Sequence, residues 1–135
     1  MSGVRGYIFS RPFLGERVPQ HVQNIVIRDY CKKQGLQYLL SATEYAMAES
    51  HLILQQVLDE LPKLEGIVFY SLFLLPEDKV ERDRVSQVIL GNNKTIFFAV
   101  EGLRMSNQIE HEQIEAIWQV QKTLPHCLKT IAKPC

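Results

Sequence analysis

The side chains best suited to chemistry lie within residues 10–24, directly after an apolar run. Ser10 offers a hydroxyl that acts as a nucleophile when a base lies beside it, and His21 is the nearest histidine in the sequence. Arg11 and Arg17 carry guanidinium groups, which bind phosphate or carboxylate through paired hydrogen bonds. The stretch therefore predicts an anion-binding site next to a potential nucleophile.

A second polar stretch, residues 41–46, follows the next apolar run. Thr43 is expected to contact a substrate there, while Glu44 and Tyr45 are candidates, together with Ser10, for the reacting centre. Three amide side chains are expected to bind hydroxyl groups of the substrate: Gln20, Gln23 and Asn24. In the alternative interpretation, Ser10 only ends a strand, and the carboxylates are solvated charges or partners of the arginines.

The positions of the apolar residues predict the elements that hold these side chains. Runs rich in β-branched and aromatic residues predict strands at residues 4–10, 36–41, 66–72 and 95–100. Apolar residues at helical spacing predict helices at about residues 19–35, 50–62, 76–93 and 107–124. The inward faces of three of these helices are expected to include Ile25, Val80 and Ile109.

The alternation of strands and helices predicts one domain over residues 1–135, with a core at about 4–124 and a short tail at 125–135. The fold class is α/β, with three layers and a four-stranded, mainly parallel sheet, because parallel neighbours need helical crossovers. The loops after the strands then share the carboxyl edge of the sheet, where such folds bind ligands. These loops are residues 10–17, 41–46, 71–76 and 101–105.

Composition narrows the classes of function. Fifteen basic and fifteen acidic side chains cancel, and binding to nucleic-acid phosphates usually needs a basic excess, so no nucleic-acid partner is expected. No apolar run is long enough to cross a bilayer, which predicts no membrane insertion and a cytoplasmic protein. The cysteines are scattered and no metal-ligand cluster is visible, so we expect no metal site and no cofactor. His111 is expected at the surface.

From residue 4 to about residue 105 the chain resembles the catalytic domain of serine recombinases of the resolvase and invertase type. The resemblance rests on Gly6-Tyr7-Ile8-Phe9-Ser10, on Arg28-Asp29-Tyr30-Cys31-Lys32-Lys33 and on Ala99-Val100-Glu101-Gly102-Leu103. It implies a resolvase-like or flavodoxin-like strand order and self-association through the last helix. The family's arginine-bearing stretch reads Leu72-Phe73-Leu74-Leu75-Pro76-Glu77 here, so we expect no recombinase activity, because a transferring phosphodiester needs those cations.

A longer match is to the sporadic carbohydrate cluster proteins. The chain shares their opening pattern over residues 6–24, with Ser10-Arg11-Pro12-Phe13 at its centre, and their segment Ser41-Ala42-Thr43-Glu44-Tyr45. The resemblance implies a protein encoded among genes for bacterial surface polysaccharides.

We therefore predict an enzyme or catalytic accessory of bacterial cell-surface polysaccharide biosynthesis. It would bind an anionic sugar (a sugar phosphate, sugar nucleotide or acidic sugar) at the carboxyl edge, with Arg11 and Arg17 on the anion, and would form a homodimer or higher homo-oligomer. The alternative is a non-catalytic module that organises enzymes of this pathway, docking through the apolar residues 72–75 or the helix of Trp118. DNA strand exchange is the remote alternative.

Overall fold

The computed structural model describes residues 3–10, 18–44 and 52–132, with backbone alone from residue 121. Its elements alternate in type along most of the chain, as the sequence predicts. The strands are β1 (Val4–Phe9), β2 (Tyr38–Glu44), β3 (Gly66–Phe69), β4 (Thr95–Phe98) and β5 (Leu103–Met105). The helices are α1 (Gln20–Gln34), α2 (Leu52–Asp59), α3 (Lys79–Gly91) and α4 (Gln108–Ala132), with short 3-10 turns at Leu61–Lys63 and Leu72–Leu74.

The strands form one sheet in the order β2-β1-β3-β4-β5. β1 pairs in parallel with β2 and β3, β3 pairs in parallel with β4, and β5 runs antiparallel to β4. The predicted α/β class with a mainly parallel sheet is confirmed, but the sheet has five strands and not four. The fifth strand was missed because it is three residues long and follows a tight turn, in which Gly102 has a φ of 66°.

A β-bulge in β2 sets which side chains of that strand face α2. Arg5 pairs with Leu39 and Tyr7 with Ala42, so two residues of β2 lie opposite Gly6 of β1. A Cβ at Gly6 would lie 2.2 Å from the Ser41 hydroxyl oxygen, so only glycine fits there. Because side chains alternate along a strand, the extra residue moves the residues after it to the opposite face.

The sheet separates two apolar clusters, which gives the three layers. On one face, α1 packs on a small cluster that includes Val4, Ile8, Ile27, Cys31 and Val68. On the other face, α2, α3 and α4 cover a larger core that includes Tyr7, Phe69, Leu54, Ile89 and Trp118. The central parallel strands β1 and β3 are buried from both sides, as this architecture requires.

Several predicted helix faces and ends are wrong. Ile25, Val80 and Ile109 are exposed. α1 instead turns Gln23, Ile27 and Cys31 inward, one face at a spacing of four residues. α4 continues through residue 125 to Ala132, although the sequence predicts an end before that proline. A proline removes one helical hydrogen bond but does not by itself end a helix.

Candidate functional site

Ser10 lies directly after β1, at the carboxyl edge of the sheet and between two other parallel strands. Its backbone N–H donates to the carbonyl of Glu44 (3.0 Å), and its Oγ donates to the same carbonyl oxygen (2.7 Å). The side chain is partly exposed. The end of β1 is therefore tied to the end of β2, and the serine hydroxyl has a defined orientation.

Gln23, in the first turns of α1, fixes the backbone just before Ser10. Its Oε1 accepts from the Phe9 N–H (3.0 Å), and its Nε2 donates to the carbonyls of Phe9 (2.9 Å) and Val18 (2.9 Å). The side chain is fully buried. The amide thus clamps both ends of the segment that separates β1 from α1, and it would have to give up these bonds to contact a substrate.

Glu44 ends β2 and turns its carboxylate toward α2, on the face that the β-bulge selects. The carboxylate accepts from the Tyr7 hydroxyl (2.8 Å) and from the N–H groups of Ile53 (3.1 Å) and Leu54 (3.1 Å). The residue is 0% exposed. Backbone donors in the first turn of a helix have no partner within that helix, so this carboxylate satisfies two of them and complements the helix dipole.

Ser71 and Glu101 form a similar arrangement farther along the same edge. The Ser71 hydroxyl donates to one carboxylate oxygen of Glu101 (2.7 Å), and the Leu72 N–H donates to the other (3.0 Å). Ser71 Oγ also accepts from the Phe73 N–H (3.2 Å). Like Glu44, Glu101 stabilises the start of a helical turn, which accounts for its carboxylate without a substrate.

The apolar residues 72–75, predicted as a docking surface, lie in the core. Leu72, Leu74 and Leu75 are buried, and the Phe73 ring packs edge-to-face against Trp118 with centroids 5.2 Å apart. The prediction of a docking surface at residues 72–75 is wrong, because these side chains pack into the core and against Trp118.

Arg82 of α3 is a buried cation that the sequence analysis did not single out. Its guanidinium donates to both carboxylate oxygens of Glu115 on α4 (2.8 and 3.0 Å) and to the carbonyls of Pro76 (3.2 Å) and Glu77 (2.6 Å). Arg82 is 1% exposed, and its guanidinium carbon lies 4.5 Å from the centroid of the Trp118 ring. The side chain joins α3 to α4 with charge, hydrogen bonds and stacking together.

Next to this ion pair, His111 is buried and not at the surface as predicted. Its Nδ1 lies 2.8 Å from Ser86 Oγ, and its Nε2 lies 3.1 Å from a carboxylate oxygen of Asp83. Lys79 also donates to Asp83 (2.8 Å). This hydrogen bond from Lys79 is the main cause that lowers the pKa of the Asp83 carboxyl, and His111 acts in the same direction.

One sequence signal could have located this junction. Arg82 and Ser86 share the helical spacing of the buried apolar residues Val85 and Ile89, so two polar residues occupy inward positions of α3. Polar residues at such positions need partners within the protein.

The remaining predicted site residues that the structure describes lie in different environments. Gln20 is exposed at the start of α1, and Asn24 accepts from the Tyr38 hydroxyl (3.2 Å). Thr43 is part of β2 and pairs with Ile8, although a loop was predicted there. Arg11, Arg17 and Tyr45 lie outside the described residues. Ser10 and Glu44 do come together, but through the backbone carbonyl of Glu44. The roles proposed for these residues stay predictions.

No protein-family profile matches the sequence, and no curated protein matches it. A solved structure does: the N-terminal catalytic domain of TP901-1 integrase, with a TM-score of 0.60 and 14% sequence identity. The alignment covers 89% of this chain and 98% of the integrase domain. No helix among the described residues is long and apolar enough to cross a membrane.

This similarity corrects the functional prediction. The prediction of anionic-sugar binding in surface-polysaccharide biosynthesis is wrong, because the solved structure that matches most of this chain is the catalytic domain of an integrase. The similarity to the sporadic carbohydrate cluster family is not shown. At this sequence identity the similarity shows the fold alone: the chain has a resolvase-like α/β fold.

Proposed function

We propose that the chain transfers a phosphoryl group from a nucleic-acid phosphodiester to Ser10. The observation that carries this proposal is the position of Ser10, whose hydroxyl is held at the carboxyl end of a central strand of a resolvase-like sheet. Ligands gather at this edge in open α/β sheets. The solved structure with this fold is described as a catalytic domain of an integrase, which supports chemistry on DNA.

In the proposed step, Ser10 Oγ attacks the phosphorus and the bond from phosphorus to the leaving ester oxygen breaks. The serine proton passes to solvent, and the leaving oxygen takes a proton from solvent. The product is a covalent phosphoserine ester. The hydrogen bond from Ser10 to the Glu44 carbonyl (2.7 Å) would orient the hydroxyl before attack, which lowers the entropic cost of the step.

We expect the first loop to supply the positive charge for this step. Residues 71–76 hold no basic side chain, and Arg82 is paired with Glu115. Arg11 and Arg17 follow Ser10 closely in the sequence and would pair with the phosphate oxygens. Their loss should therefore slow transfer more than the loss of basic side chains elsewhere in the chain.

A second candidate is a self-assembly module, and exposed apolar side chains on α4 favour it. Among residues 108–120, the part of this helix whose side chains the structure describes, His111, Ile114 and Trp118 are buried. Ile109 and Val120 are exposed. A homodimer would cover apolar residues of this kind, since dimer interfaces are more apolar than the surrounding surface.

A small activated phosphodiester tests the first proposal without knowledge of a DNA sequence. The protein is incubated with bis-(para-nitrophenyl) phosphate; release of one nitrophenolate per chain and a matching mass increase on the Ser10 peptide are expected. Ser10→Ala should abolish both, whereas Ser106→Ala, a change at an exposed serine, should leave them unchanged. Arg11→Ala and Arg17→Ala should slow the release about 100-fold.

The alternatives give different results in the same experiment. Protection by duplex DNA, but not by inorganic phosphate, would support a nucleic-acid substrate. Labelling that persists in Ser10→Ala, or no labelling of a folded wild-type protein, would overturn phosphoryl transfer. In that case a dimer in sedimentation that dissociates in Ile109→Asp with Val120→Asp would support the assembly module.

A further inference from the structure

We propose that Asp83, His111 and Glu115 bind a divalent transition-metal ion, with Zn²⁺ as the ion of choice, between α3 and α4. This inference does not depend on the chemistry proposed for Ser10. One ligand atom from each residue lies within 4.8 Å of the others. A histidine nitrogen with two carboxylate oxygens is a set that Zn²⁺ accepts, with a fourth position for water.

The helices themselves bring these atoms together. His111 and Glu115 are four residues apart on α4, so they lie on the same face one turn apart, and Asp83 faces them from α3. His111 Nε2 and the nearest Asp83 oxygen are 3.1 Å apart. Two ligands of a tetrahedral zinc ion, with bonds of about 2.0–2.1 Å, lie about 3.3 Å from each other, so little movement is needed.

A residue outside the ligand set orients the histidine ring. Ser86 Oγ lies 2.8 Å from Nδ1 of His111 and 3.6 Å from the sulfur of Met105. Ser86 can therefore accept a hydrogen bond from Nδ1–H and donate its own hydrogen bond to the Met105 sulfur. In that tautomer the Nε2 lone pair points at a carboxylate, an arrangement that a cation between them stabilises. Metal-bound histidines usually have their second nitrogen fixed in this way.

Without an ion, the other tautomer satisfies the same atoms. Nε2 then donates to Asp83, and Ser86 donates to Nδ1. The site can therefore bind and release an ion without leaving a buried polar atom unpaired. Asp83 is partly exposed, which gives an ion a path from solvent.

Two basic side chains next to the site limit its affinity for a metal ion. Lys79 lies 2.8 Å from Asp83 and is 57% exposed, so an ion can displace it into solvent. Arg82 is held by Glu115, by two carbonyls and by Trp118, so it stays in place. It uses one lone pair on each oxygen of Glu115, and a carboxylate oxygen has a second. We expect a micromolar rather than a nanomolar dissociation constant, because Arg82 repels the ion.

Calorimetric titration with Zn²⁺ tests the site, using tag-free protein with Cys127→Ser and Cys135→Ser so that thiolates do not bind the ion. One ion per chain is expected. Asp83→Asn should weaken binding more than about tenfold. Lys79→Met should tighten it about tenfold, because it removes a competing cation. His21→Ala, a change at an exposed histidine of α1, should have no effect. Co²⁺ should give the visible absorption of a tetrahedral complex.

The test is decisive because Asp83→Asn and Lys79→Met are expected to change the affinity for Zn²⁺ in opposite directions. No binding by the folded protein, or equal affinity in wild type and Asp83→Asn, would overturn the site. An unchanged or weakened affinity in Lys79→Met would also overturn it, since that lysine faces the proposed ion through Asp83. His111→Ala should lose binding, and its midpoint of thermal unfolding shows whether it still folds.

Discussion

The two faces of the sheet satisfy their buried polar groups in different ways. On the α1 face the buried polar side chain is a neutral amide, Gln23, which bonds only to backbone atoms. On the face covered by α2, α3 and α4 the buried polar groups include charged side chains: Glu44, and Arg82 with its largely buried partner Glu115. A face held by neutral bonds responds little to pH, salt or ions, whereas an ionic face can respond to all three.

The largest expected effect is on the ionic face, at Arg82. Arg82→Met leaves the Glu115 carboxylate without its partner in a nearly dry site, and breaking a buried pair in this way costs about 3–5 kcal/mol of unfolding free energy. Urea denaturation measures the loss. Adding Glu115→Leu removes the stranded charge, so the double variant should recover most of it.

A double variant as unstable as Arg82→Met would contradict this explanation. It would mean that the hydrogen bonds from Arg82 to the carbonyls of Pro76 and Glu77, and its stacking on Trp118, hold α3 more than the ion pair does. The ionic face would then resemble the α1 face, with backbone bonds as its main polar support.

The sequence predicts the layers of this fold better than it predicts the polar contacts between them. Apolar periodicity locates four strands and four helices because it reflects burial directly. The surface position predicted for His111 overlooks that it shares the helical spacing of the buried Ile114 and Trp118. Its partners on α3, Ser86 and Asp83, cannot be predicted from the spacing on α4. Apolar periodicity also misses the role of Glu44, whose direction depends on the one-residue bulge between Gly6 and Ser41.

The candidate site shows the same limit. Sequence alone brings Ser10 and Glu44 to one edge, because both end parallel strands. It does not show that the carbonyl of Glu44, and not its carboxylate, contacts the serine. Nor does it separate a glutamine that binds a ligand from one that clamps backbone, as Gln23 does, since both need the same amide.

An intermediate effect is expected on the neutral face, at Gln23. Gln23→Leu keeps the volume but leaves the N–H and the carbonyl of Phe9 without the amide, which costs about 2 kcal/mol of unfolding free energy. The loss should be the same at low and high salt, because no charged group is involved, whereas the loss in Arg82→Met should be recovered by Glu115→Leu. Urea denaturation at two salt concentrations measures the loss, and a salt-dependent loss in Gln23→Leu would contradict the comparison.

The smallest effect concerns the thiol on the neutral face. Burial raises the pKa of Cys31 to about 11, and the residue is 1% exposed. At pH 8 only about one thiol in a thousand would be ionised, so alkylation by iodoacetamide should be slow in the folded protein. Peptide mass spectrometry separates Cys31 from Cys127 and Cys135. In urea the three cysteines should react alike, because unfolding exposes Cys31 and its pKa is then no longer raised by burial.

Rapid alkylation of Cys31 in the native protein at pH 8 would mean that α1 separates from the sheet more readily than its apolar contacts with Val4, Ile8 and Val68 allow. The neutral face would then be the more dynamic of the two.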